Sequence, residues 1–224
     1  MRDHLGNFMV AGNLGFARGV LLLEDCEGTF TWVVSGTGGD DVHAFATVAA
    51  FMGTNGMRLK TRTTGATAAD NLAVEKAMSY PESGLLVARL RVCPVAVAPF
   101  DYIQVLLDVS DGAAGHGACL QLDVAAGKVY YQAAGGGFVE IVALAAPVYE
   151  GAFMTVELAV DLLTNQYLGC MVNGLRADLA GLAMVSAGAV AYRFARLGVT
   201  IATAGAAACE AYVDSVYVGE FLDL

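Results

Sequence analysis

The acids of the stretch TVELAVDLL come nearest to a catalytic pair. Glu157 and Asp161 stand four residues apart with Ala159 between them, so period-two alternation puts both on one strand face. Glycoside hydrolysis needs two carboxylates flanking one bond, about 5–9.5 Å apart. Asp161, however, opens the segment DLLTNQ, where an aspartate serves to bond the amides of a turn. His4, His43 and His116 have no ligand spacing among themselves. The five cysteines, Cys26, Cys93, Cys119, Cys170 and Cys209, are widely spaced and form no C-x-x-C, which excludes zinc knuckles and redox pairs. Cys93, Cys119 and Cys170 lie in apolar runs and read as small core residues, with a Cys26–Cys209 bridge as a minor alternative. No serine has a G-x-S-x-G setting, and the glycine-rich stretches 36–39 and 135–137 read as hairpin loops, with no helix following to make a phosphate cradle. Trp32 reads as core, one of Tyr130 and Tyr131 must face outward, and Tyr167 and Tyr192 sit near turns. No enzymatic activity is expected from these residues.

The elements that hold them are strands. Residues 55–63 open with Asn-Gly and then alternate Met57, Leu59 and Thr61 against Arg58, Lys60 and Arg62, a half-buried strand with a basic outer face. Residues 85–93 alternate Leu86, Ala88, Leu90 and Val92 against Arg89 and Arg91. Residues 102–109 are almost continuously apolar, as a central sandwich strand should be. Hairpins are expected at 116–133 and at 153–174, and strands at 194–204 and 211–221 close the chain. Residues 66–79 are the best helix candidate, although they could equally lie in a loop, and 175–184 has room for one helical turn. The expected class is all-β: a two-sheet antiparallel sandwich over residues 21–224, with Leu59, Leu90, Leu106, Leu122, Leu158, Val172, Val199 and Val216 pointing inward. Residues 1–20 hold Gly6, Gly12, Gly15 and Gly19 without a lasting period, and read as an irregular arm.

Composition narrows the partners. Twelve Lys and Arg against 22 Asp and Glu leave a net charge of −10, which argues against nucleic acid and anionic membrane. Only 15% of residues are charged, so much of the surface must be Ala, Gly, Thr and Val, which is either bland solvent-facing sheet or surface buried against partners. The opening residues lack the basic region and continuous apolar core of a signal peptide, and synthesis in a reducing cytoplasm is expected.

Four segments taken together resemble the concanavalin A-like jelly rolls, the lectin, laminin-G and glucanase sandwiches. They are LEDCEGTFTW, NGMRLKT, TVELAVDLLTNQYLGCMVNG and EAYVDSVYVGE, within residues 24–221. The resemblance implies the jelly-roll fold. It also implies a structural calcium near the chain ends, on Asp25 or Glu27 together with Asp214. The glucanase members carry a Glu-x-Asp-x-(x)-Glu string that this chain lacks. Two functions are then expected in order. The first is a non-enzymatic assembly protein, a virion decoration or capsid-associated oligomer, docking on protein partners through Phe8, Met9, Leu14 and Phe16 of the arm. The alternative is a lectin-type module that binds glycan.

Overall fold

In a computed structural model the chain forms the expected antiparallel sandwich, described for residues 17–62, 64, 66–68, 70–82, 84–144, 148–188 and 191–221. Among the described residues sixteen strands divide between two sheets: β1 Ala17–Glu24, β2 Val33–Gly36, β3 Val42–Ala46, β4 Gly56–Lys60, β5 Asn71–Met78, β6 Leu85–Pro94, β7 Phe100–Asp111, β8 Gly115–Asp123, β9 Lys128–Gln132, β10 Phe138–Glu140, β11 Met154–Asp161, β12 Gln166–Val172, β13 Leu175–Asp178, β14 Val185–Ala187, β15 Arg193–Thr203 and β16 Glu210–Phe221. Sheet A runs β13-β12-β11-β6-β16-β4-β3, with β1 also paired to β16. Sheet B runs β10-β9-β8-β7-β15-β5-β2, with β14 paired to β8. Helical structure among the described residues is limited to single 3-10 turns at Thr47–Ala49 and Val142–Leu144.

The core lies between the sheets. Sheet A contributes Met57, Leu59, Leu90, Val156, Leu158, Val213 and Val218; sheet B contributes Leu72, Val74, Ile103, Val105, Leu107, Leu120, Leu122, Leu197, Val199 and Ile201. Seven of the eight residues expected to point inward are buried. Leu106 is the exception: its neighbours Val105 and Leu107 are buried while it is half-exposed. In the apolar run of β7 alternation alone could not choose the face. Residues 66–79 hold strand β5, because Leu72 and Val74 complete the core and pair with Ile201 and Val199 of β15. Burial of alternate side chains overrides the helical propensity of Ala, Glu and Lys there.

Two devices set the registers. Ser215 has φ 54° in β16, where the pairing with β6 shifts between Asp214 and Tyr217. The extra residue lets Val213 and Val216 both face the core, and it divides β16 between β4 in its first half and β1 in its second. The other device is Tyr167, fully buried in β12. Its hydroxyl accepts a bond from the Cys119 amide at 3.0 Å and donates to the Gln132 carbonyl at 2.9 Å. Those two groups sit where β9 stops pairing with β8, so one side chain of sheet A closes a gap in the ladder of sheet B.

Strand β1 begins at Ala17, so residues 17–20 belong to the sheet. The arm residues Phe8, Met9, Leu14 and Phe16 lie outside the described residues. The five cysteines are buried and free, so Cys26 and Cys209 are not bridged. Trp32 is buried as expected, and its indole N–H reaches Glu24 at 3.2 Å.

Candidate functional site

The outward face of sheet B carries an accessible row of polar side chains. Strand register lines them up. Glu140 stands opposite Tyr130, Tyr130 opposite Gln121, Gln121 opposite Gln104, Gln104 opposite Thr200, Thr200 opposite Ala73, and Ala73 opposite Ser35. One row of side chains therefore crosses seven strands, each about 4.8 Å from the next. Tyr130, Gln121, Gln104 and Thr200 are all half-buried, which leaves them anchored yet in reach of solvent. The Gln104 amide donates to the Gln121 carbonyl at 2.9 Å, which fixes one amide against the other and leaves each with further donor and acceptor capacity. Tyr131 points the other way, edge-on to Tyr167 with ring centroids 5.7 Å apart.

Nearer one end of the same face, Arg196 joins two strands. Its guanidinium donates to Glu75 at 2.7 Å on β5 and to Asp108 on β7. Burial opposes its charge, but Asp108 and Glu75 together hold it above the ordinary arginine value. Gly117 makes this possible: a Cβ there would lie 2.9 Å from the Asp108 carboxylate. Beyond Arg196 the face ends in Phe194 and Tyr192, with ring centroids 5.5 Å apart and Tyr192 66% exposed. An arrangement of this kind can bond neighbouring hydroxyl groups through its amides and stack a flat apolar face on its tyrosines.

The acids implied as calcium ligands do different work. Asp214 accepts the amides of Phe51 and Met52 at 2.7 and 2.9 Å on one oxygen, and that of Ser215 at 2.5 Å on the other. Glu27 accepts the amides of Asn55, at 2.9 Å, and Thr54, and these bonds hold its carboxyl below the usual range. Asp25 accepts the Glu27 amide at 3.2 Å. Asp214 and Glu27 thus grip one loop, residues 51–55, from two sides. Their oxygens face N–H donors rather than a cation, and no group of three or more His, Cys, Asp or Glu is placed to hold a metal among the described residues. This donor set does not fit calcium. Asp161 caps its turn as expected, accepting the Leu163 amide at 2.8 Å and the Thr164 hydroxyl at 2.7 Å. Glu157 is buried beside Arg89, 3.9 Å away, and is separated from the exposed face of sheet B by the whole core.

Sequence reasoning named Tyr130, Tyr131, Tyr167 and Tyr192 without choosing among them; Tyr130 and Tyr192 are the two on this face. It missed Gln104, Gln121, Thr200 and the Arg196 clamp, because these meet only through pairing of strands far apart in the chain.

The two-sheet antiparallel sandwich is a fold shared with solved structures. It is similar to an endo-β-1,4-glucuronan lyase from the fungus Trichoderma reesei, with TM-score 0.60 and 13% identity over 91% of this chain and 95% of the lyase. It is similar to the cellulose-induced protein Cip1, with TM-score 0.57 and 12% identity over 88% of this chain and 96% of that one. It is also similar to a carbohydrate esterase of the Shiga toxin-encoding bacteriophage phi24B, with TM-score 0.56 and 18% identity over 88% of this chain and 99% of the esterase. No family model matches the sequence, and no curated protein matches it. These likenesses correct two expectations. The three are described as a glucuronan lyase, a cellulose-induced protein and a carbohydrate esterase, none of them as a virion decoration or capsid component, and this goes against the assembly reading. A lyase and an esterase are among them, so the missing glucanase string is no ground for excluding an enzyme.

Proposed function

We propose that the protein binds a glycan chain across the outward face of sheet B. The observation that carries this reading is the row Tyr130, Gln121, Gln104, Thr200, fixed by register and accessible along its length. The face favours an uncharged chain. Its two cations, Arg196 and Lys128, are both paired, the latter with Glu140 at 2.9 Å, and the carboxylates of Glu75, Asp108, Asp123 and Glu140 outnumber them. A polyanion would meet repulsion there.

A glycan array followed by calorimetric titration tests the reading. Binding of a neutral oligosaccharide that falls at least tenfold in both Gln121→Ala and Tyr130→Ala, with the melting temperature kept, supports it. Binding that ignores both substitutions, or no binding to any neutral glycan, overturns it. Mass analysis of the titrated sugar shows whether the bound chain is also cut.

A further inference from the structure

A second site lies at the rim of the sandwich, where sheet B ends against the β11–β12 turn of sheet A. Tyr80, Val109, Asp111, His116, Leu162, Leu163, Asn165 and Arg193 enclose a cleft of about 320 Å³ there. Its walls are well fixed. The Leu162 amide donates to the Gly84 carbonyl at 2.6 Å, and the Met184 amide to the Asn165 carbonyl at 3.0 Å. Arg193 donates through Nε to the Asp111 carbonyl at 2.9 Å, and its Cζ stands 5.5 Å from the centre of the Tyr80 ring. The guanidinium is thereby aimed, while its terminal nitrogens have no hydrogen-bond partner among the described residues.

The acid of the cleft is already engaged. One Asp111 oxygen accepts the amides of Ala113 and Ala114 at 2.7 and 2.8 Å. Those amides first, then the nearby Arg193 and His116, hold its carboxyl below the ordinary range. The Tyr80 hydroxyl, the His116 ring nitrogens and the Asn165 side-chain amide likewise have no hydrogen-bond partner among the described residues. Three side chains without a hydrogen-bond partner among the described residues, Tyr80, His116 and Asn165, and the open end of the Arg193 guanidinium line one hollow, and each can donate. Leu162 and Leu163 add apolar surface to the same lining.

We propose that this cleft binds a hydroxylated monocarboxylate of one-ring size, its carboxylate on Arg193 and its ring against Tyr80 and the two leucines. A planar guanidinium with both terminal nitrogens open is suited to a two-pronged grip on a carboxylate. Asn165, His116 and Tyr80 then meet the hydroxyls. The volume stands at the lower end of ligand pockets, which suits one ring and excludes an extended chain. The cleft is a different place from the row on sheet B: it opens between the sheets, and none of its residues belongs to that row. The carboxylate could belong to a free sugar acid or to the end of a chain.

Four probes decide the matter, titrated into the full chain and followed by nitrogen–proton NMR. They are D-glucuronate, D-glucose, acetate, and an oligosaccharide ending in glucuronate. The expected result is a shift at residues around Tyr80, His116, Asn165 and Arg193 with glucuronate, the terminated oligosaccharide or both, and none with glucose or acetate at the same concentration. Response to the oligosaccharide alone assigns the ligand to a chain end. Arg193→Gln should weaken the response at least tenfold, and Leu163→Trp, which fills the cleft from an exposed position and keeps its charge, should abolish it. Equal response to glucose or to acetate overturns the proposal, as does full response in folded Arg193→Gln and Leu163→Trp. Gln121→Ala should leave this site untouched, so its failure and that of the sheet B reading can be told apart.

Discussion

The two outward faces of the sandwich obey the same alternation and end in different states. At the centre of sheet A, around β6 and β11, outward residues are themselves withdrawn from water. Leu85, Val87 and Ala159 form a small apolar cluster of their own with Leu168, and Cys93, Tyr217 and Glu157 are buried beside them. Arg91 lies under the loop gripped by Asp214, its Cζ 4.1 Å from the centre of the Phe51 ring, and Phe51 in turn meets Phe153 edge-on. On sheet B the corresponding layer is Tyr130, Gln121, Gln104 and Thr200, half-buried and polar. The lesson is that polar or charged identity does not locate a binding face. Glu157 and Asp161 come nearest to a catalytic pair in the sequence, but Glu157 is buried and Asp161 caps a turn, and sheet B holds the groups a ligand can reach.

The largest expected effect separates the faces directly. Val87→Asp on sheet A puts an unpaired charge where 1% of the side chain is exposed, and should cost about 3–5 kcal/mol in denaturant unfolding. Ala73→Asp on sheet B, between half-exposed Thr200 and exposed Ser35, should cost less than about 1 kcal/mol. Equal costs would mean that the faces do not differ. Next comes the link between the sheets. Tyr167→Phe keeps the ring but leaves the Cys119 amide and the Gln132 carbonyl without their partner, at about 1–3 kcal/mol by the same measurement.

Arg196→Met should have a smaller effect, on the order of 1 kcal/mol, because its two ion pairs are partly exposed. The informative readout is glycan titration, where the Gln104–Gln121 row should still bind. Glu157 carries a pH signature. Burial raises its carboxyl pKa, and Arg89 and Arg176 only partly offset that. The folded state then holds a proton that the unfolded state releases, so the wild type loses stability as pH rises past the ordinary glutamate range. Glu157→Gln should match the wild type at low pH and exceed it above that window in thermal unfolding. Calcium should have the smallest effect of all. Millimolar calcium or chelator should leave the melting temperature unchanged, and a rise abolished by Asp214→Asn would restore a cation to the loop.

Much of this was legible beforehand. Period-two alternation in NGMRLKT and LLVARLRVC marks strands and their inner faces, and seven of eight inward assignments hold. The turn role of Asp161 and the core position of Trp32 follow from residue type and neighbours. Alternation is silent where both faces are apolar, which is why Leu106 was assigned to the wrong side, and propensity misleads at residues 71–78, where long-range pairing outweighs it.

By itself, then, the sequence determined an all-β sandwich with a shared core, because burial of every second side chain is a local property of the chain. The tertiary structure alone decided the rest. Gln104 meets Gln121 across one hairpin, but Thr200 and Arg196 arrive from almost a hundred residues away. The bulge at Ser215 turned Asp214 onto a loop of amides, and the rim cleft gathers Tyr80, His116, Asn165 and Arg193 from four separate stretches. Contacts of that kind depend on strand order and register, which are set by the packing of the whole core and not by any one segment.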